Sequence, residues 1–175
     1  MAWAFLAFPD APADFRHGLL RVCADEIRHA GMYEQHLATL DAAYGSHPVR
    51  DWFWMRVPAC PTAVHFVAVM GVGFEGANLD HTLRYAQSLR SVGDGPGAAL
   101  QDKIREDEIA HVAFAQRWLA HWGVTDFDGW AAHLPPPLSP WLMRGRTLNH
   151  HDRDRAGLDP HFLTALERWN VPAPG

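Results

Sequence analysis

The chain has 175 residues, 48% of them apolar, and a formal net charge of -5, which suits one domain with its own core and leaves too little for a second. Its 15 lysines and arginines are scattered among 20 acids, so the basic patch that nucleic-acid backbones demand is absent and nucleic-acid binding is not expected. Cys23 and Cys60 are its two cysteines, which excludes a four-thiolate centre within one chain and makes a reducing, cytoplasmic setting the default expectation.

The apolar opening, residues 1–8, lacks a basic leader and is interrupted by Pro9, so it is too short for a signal peptide or a membrane span. Residues 12–44 follow with apolar side chains at helical spacing, Phe15, Leu19, Val22, Tyr33 and Leu40, and predict a long helix with Asp10 as its cap and Pro12 in its first turn. The pattern breaks at Gly45 and Pro48, passes through Trp52, Phe53 and Trp54, and reads as a crossover. Residues 61–91 predict a third helix, whose Ala68, Gly71, Gly73, Gly76 and Ala77 permit close contacts but weaken helix propensity. After a glycine-rich turn, residues 97–122 predict a fourth helix, stopped by Gly123.

Residues 124–175 change character, with Pro135, Pro136, Pro137 and Pro140, a polar run over 149–155 and a short helical pattern near 161–169. They are expected to wrap a bundle formed by residues 1–123, anchored by Trp130, Trp141 and Trp169. No alternating pattern persists over a useful length, so the chain is expected to be all-α.

The chemistry lies in an internal repeat. Asp25-Glu26-Ile27-Arg28-His29 and Asp107-Glu108-Ile109-Ala110-His111 differ at one position, and in each a Glu and a His three residues apart share a helical face. Glu26 and His29 fall on the apolar stripe of the second helix, and Glu108 and His111 on the stripe of Ile104, Ala115, Trp118 and Trp122. Glu75, beside Phe74 and Leu79, is expected to point inward from the third helix. Buried carboxylates cost several kcal/mol each unless neutralised, so a metal ion is the expected partner. Carboxylate and imidazole ligands without thiolates suit iron, with manganese as the alternative.

Asn78 lies one turn from Glu75, and Tyr33 one turn from His29. Asp25 and Asp107 are read either as hydrogen-bond partners of a ligand histidine on another helix or as exposed helical aspartates. Tyr33 is read as a packed core tyrosine before a redox-active one, and His36 as a rim histidine before a neighbour of the site. His150 and His151 are assigned to a solvated loop.

At these residues the chain resembles the ferritin-like di-iron carboxylate superfamily, in which successive helices offer Glu, E-x-x-H, Glu and E-x-x-H. The surroundings A-D-E-I-R-H, G-F-E-G-A-N-L-D and E-D-E-I-A-H-V resemble a bacterial ferritin-like family of unknown function. The resemblance implies a four-helix bundle with a long crossover, Glu26, His29, Glu75, Glu108 and His111 as ligands of two iron ions, and the two E-x-x-H glutamates as bridges. It also implies a ligand from a first helix, yet no Glu precedes Glu26. Glu75 precedes Glu108 by 33 positions, and by the repeat the partner of Glu26 falls about eight positions before Met1. Residues 1–8 are therefore expected to be the last two turns of that helix, and the native chain to begin upstream; otherwise five protein ligands remain.

Three functions are open at this stage: an oxidoreductase or oxygenase acting on a small-molecule oxidant and an unidentified substrate, an iron-storage or ferroxidase subunit, and a metal-poor helical scaffold. Enzymatic activity and homo-oligomer formation stay open, and no membrane association is expected. Two cysteines disfavour a peroxidase with its own rubredoxin domain.

Overall fold

The computed structural model describes residues 1–49, 51–52 and 54–169; Phe53, expected in the aromatic crossover, lies outside them. Among the described residues the chain is all-α and contains no strand. A short helix α1 (Ala2–Ala7) leads into the long α2 (Ala13–Thr39). In the crossover, Val57–Ala59 form a 3-10 turn. It is followed by α3 (Ala63–Phe66), a π-helical stretch Val67–Glu75 and α4 (Gly76–Ser91), which run on without a break. The second long helix is α5 (Gly95–His121), and α6 (Phe127–Ala132), a 3-10 turn Pro140–Met143, α7 (His150–Arg155) and α8 (Pro160–Arg168) complete the C-terminal part.

The helix α2 ends at Thr39 rather than at residue 44, and Asp10 does not cap it: Pro12 occupies the cap position without a side-chain bond. Beyond Thr39 the chain turns at Asp41, whose φ is 53°, and Leu40 is exposed instead of on the apolar stripe. Asp94 caps α5, its Oδ1 accepting from the Gly97 amide at 2.8 Å. That bond starts the helix two residues before the expected position.

The third helix departs most from regular geometry. Val67–Glu75 is π-helical, a widened form that occurs at functional sites and at strained sequence. Two glycines explain how it packs. A Cβ on Gly71 would collide with the Cβ of Ala115 on α5, and one on Gly73 would stand 2.7 Å from the Met143 sulfur. The small residues thus serve close contact, as expected.

The helix α5 sits at the centre, packing against α2 on one side and the π stretch and α4 on the other. Phe15, Leu19, Phe66, Val69, Val72, Leu79, Val112 and Ala115 are buried in the core. The C-terminal part packs on this core chiefly through Trp130, which is 1% exposed. Its indole Nε1 donates to the Ala68 carbonyl in the π stretch at 2.9 Å, and its ring meets Phe127 and Phe162. Trp141, expected as a second anchor, is 47% exposed. The histidines 150 and 151 lie on α7 rather than in a loop, and both are exposed. No described helix is long and apolar enough to cross a membrane.

Candidate metal centre

The spacing of three in each E-x-x-H pair brings its Glu and His to one face, and the contact between α2 and α5 sets the two faces against each other. Glu75 enters from the end of the π stretch. Glu26, Glu75, Glu108 and His111 each place one ligand-type atom within 4.8 Å of the others. His111 Nδ1 lies 3.4 Å from Glu26 Oε1 and 3.4 Å from Glu108 Oε2. His29 stands at the edge of this group, its Nδ1 3.7 Å from Glu26 Oε2.

Glu75, Glu108, His29 and His111 are buried, while the Glu26 side chain is 42% exposed. The expectation that Glu26 is an interior residue therefore holds only in part: one of its oxygens is buried and the remainder faces a cavity. Four buried atoms, Glu26 Oε1, His29 Nδ1, Glu108 Oε2 and His111 Nδ1, have no hydrogen-bond partner among the described residues. Orphaned buried polar atoms are rare in folded proteins because each carries its desolvation cost uncompensated.

The outer nitrogens of the two histidines are held in crossed fashion. His29 Nε2 pairs with Asp107 Oδ2 at 3.1 Å and His111 Nε2 with Asp25 Oδ2 at 3.2 Å, so each half of the repeat steadies the histidine of the other. Of the two readings open for Asp25 and Asp107, the structure selects partnership with the opposite histidine. A carboxylate on Nε2 keeps a proton there and leaves the Nδ1 lone pair for an electrophile. Arg28 donates to both aspartates, to Asp25 Oδ1 at 2.5 Å and to Asp107 Oδ2 at 2.9 Å, and Lys103 adds a bond to Asp107 Oδ1 at 2.6 Å. Arg28 fills the variable position of the repeat and so carries no repeat signal, but its spacing of three from Asp25 is an ion-pair signal in the sequence.

Asn78 Nδ2 donates to Glu108 Oε1 at 3.2 Å. Tyr33 reaches no ligand: its hydroxyl and Gln101 Nε2 are 3.1 Å apart, and the residue is 37% exposed rather than packed in the core. His36 lies elsewhere, its Nε2 2.9 Å from the Asp94 carboxylate that caps α5.

Charge at the site is unbalanced in a telling way. Burial and the neighbouring Glu108 raise the Glu75 carboxyl well above the ordinary range. Burial also opposes ionisation of Glu26, but the neighbouring His111 and His29 outweigh it and hold that carboxyl at about 2. His111 shows the reverse balance: burial disfavours its charge, yet Glu108 and Glu26 push it up to about 11. Without a metal, a proton on His111 does the neutralising that a divalent cation would do.

These residues fit a metal ion. The donors are carboxylate and imidazole, converging from three helices, with their buried inner atoms unpartnered and the outer histidine nitrogens braced.

A family model described as "Protein of unknown function (DUF455)" matches residues 1–164. No curated protein and no solved structure matches the chain.

Proposed function

We propose that this chain, which belongs to the DUF455 family of proteins of unknown function, is a ferritin-like metalloprotein that holds two iron ions and works as an oxidoreductase or oxygenase. The observation that carries the reading is the set of four orphaned inner atoms on Glu26, His29, Glu108 and His111, backed by the crossed Asp–His bonds. Satisfied ion pairs have no reason to leave their facing atoms unbonded.

Glu26, Glu75, Glu108 and His111 would hold one ion, and His29, beside the same Glu26, would serve the second. Manganese fits the same donors. A bound iron pair supplies two reducing equivalents to oxygen or peroxide. The chain's own part is to position and neutralise. Asp25 and Asp107 fix the imidazole rings, Asn78 orients Glu108, Arg28 favours the ionised form of Asp25, and Lys103, His29 and Arg28 together favour that of Asp107.

The test is ferrous-iron binding and metal content of the chain beside Glu108→Ala. Expected is uptake of iron by the unmutated protein and its loss in the variant. Absence of bound metal in both overturns the reading and leaves a helical scaffold.

A further inference from the structure

A cavity of about 680 Å³ opens between α2 and the π stretch with α4, and Glu26, Glu75 and Asn78 form one part of its wall. The remainder is mostly apolar, including Trp3, Ile27, Val57, Phe66, Met70 and Leu142. His81, one turn beyond Asn78, also lines it, and its Nδ1 is buried without a hydrogen-bond partner.

His81 faces a second recess of about 480 Å³ as well, lined by Arg84, Trp141, Arg144, Gly145 and Arg146. Among the described residues no acidic one lines this recess. Asp80, which lies beneath Gly145, is already neutralised by Arg153. None of the three lining arginines has a hydrogen bond or ion pair among the described residues, in a chain whose formal charge is -5. Two are pre-positioned by aromatic rings: Arg144 lies 4.6 Å over Trp141 and Arg84 4.6 Å over Tyr85. The Arg144 Nε is buried and unpartnered. A guanidinium in this state is an open fork for an oxyanion.

We propose that the two recesses form one binding site for an anionic amphiphile, a small molecule with a phosphate or carboxylate head held by Arg84, Arg144 and Arg146 and an apolar body running past His81 toward Glu26 and Glu75. From Arg84 to Glu75 is nine residues of helix, about 13 Å, the reach of a medium-length alkyl chain. Three arginines in one recess backed by an apolar cavity suit a single head group on such a body and give no track for a polynucleotide. That the amphiphile is the substrate rests on the metal reading above; that it binds does not.

The experiment is calorimetric titration of the metal-free protein with decyl phosphate below its micelle concentration, beside decanol and inorganic phosphate. Decyl phosphate is expected to bind saturably and more tightly than either. Arg84→Ala with Arg144→Ala is expected to weaken it about tenfold or more. Ala30→Phe, on the cavity wall contributed by α2, is expected to weaken decyl phosphate but not inorganic phosphate, and circular dichroism checks that the variants remain folded. Equal affinity for decanol, affinity unchanged in the arginine variant, or attachment to phosphatidylglycerol vesicles without binding of monomeric decyl phosphate overturns the proposal. Glu108→Ala is expected to retain decyl phosphate binding while losing iron, so failure of the metal reading and failure of this one are read separately.

Discussion

Two clusters of buried charge lie on the helix formed by the π stretch and α4, and they are finished differently. Around Asp80 the account closes. Its carboxylate accepts from the amides of Gly145 and Asn149 at 2.8 and 2.7 Å and from Arg153 Nε and Nη2 at 3.2 and 2.9 Å. Within this cluster, among the described residues, Arg153 Nη1 alone lacks a partner. Around Glu75 and Glu108 three carboxylates face two histidines, and the inner atoms of Glu26, Glu108 and both imidazoles are left unbonded. The first cluster ties the C-terminal segment to α4 by opposite charges that satisfy each other. The second has an excess of acid and an inward set of ligand-type atoms, the feature on which the proposed metal reading rests.

The largest expected effect falls on the closed cluster. Asp80→Ala strands a wholly buried Arg153 and is expected to cost about 3–5 kcal/mol in chemical denaturation. The double variant Asp80→Leu with Arg153→Met should recover most of that loss, because no charge then stays unpaired. A small loss for Asp80→Ala alone would mean that the two clusters are alike.

The open cluster should respond in metal affinity. Asp107→Asn and Asp25→Asn remove the carboxylates that brace His29 and His111, and each is expected to weaken metal binding about 10–100-fold with little change in the stability of the metal-free protein. Metal titration and denaturation of the same samples separate the two quantities.

The smallest effects are in pH dependence, and they run in opposite directions for two glutamates of one site. The Glu26 carboxyl is held at about 2 against an ordinary 4.5, so its contribution to the metal-free fold is present above pH 4.5 and is lost as pH falls toward 2. Glu75 is raised from 4.5. Below 4.5 it is protonated in both states; as pH rises the unfolded chain gives up the proton first, and the fold loses stability. Glu75→Gln is therefore expected to gain on the unmutated protein as pH increases, and Glu26→Gln to lose on it as pH climbs from 2 through 4.5. Melting temperatures with metal removed check both signs, below pH 4.5 for Glu26 and above it for Glu75.

Much of this was legible in the chain itself. The repeat of Asp-Glu-x-x-His, its place on apolar stripes and the inward Glu75 follow from residue type and helical period, and the structure brings Glu26, Glu75, Glu108 and His111 together. Leu40 misled because spacing extends a stripe past the point where the chain turns. Tyr33 misled because its period shows its face but not its depth.

Sequence alone determined that the chain is helical, where the long helices run and which residue types share a face, because period and composition are local properties. Tertiary structure decided three things. One was the π-helical form of Val67–Glu75, whose Gly71 and Gly73 leave no room for a Cβ beside Ala115 and Met143. Another was the crossing of each aspartate to the opposite histidine. The last was the placing of His81 in the wall of both an arginine recess and an apolar cavity. Each depends on residues far apart in the chain, whose meeting is set by packing and carries no mark in local sequence.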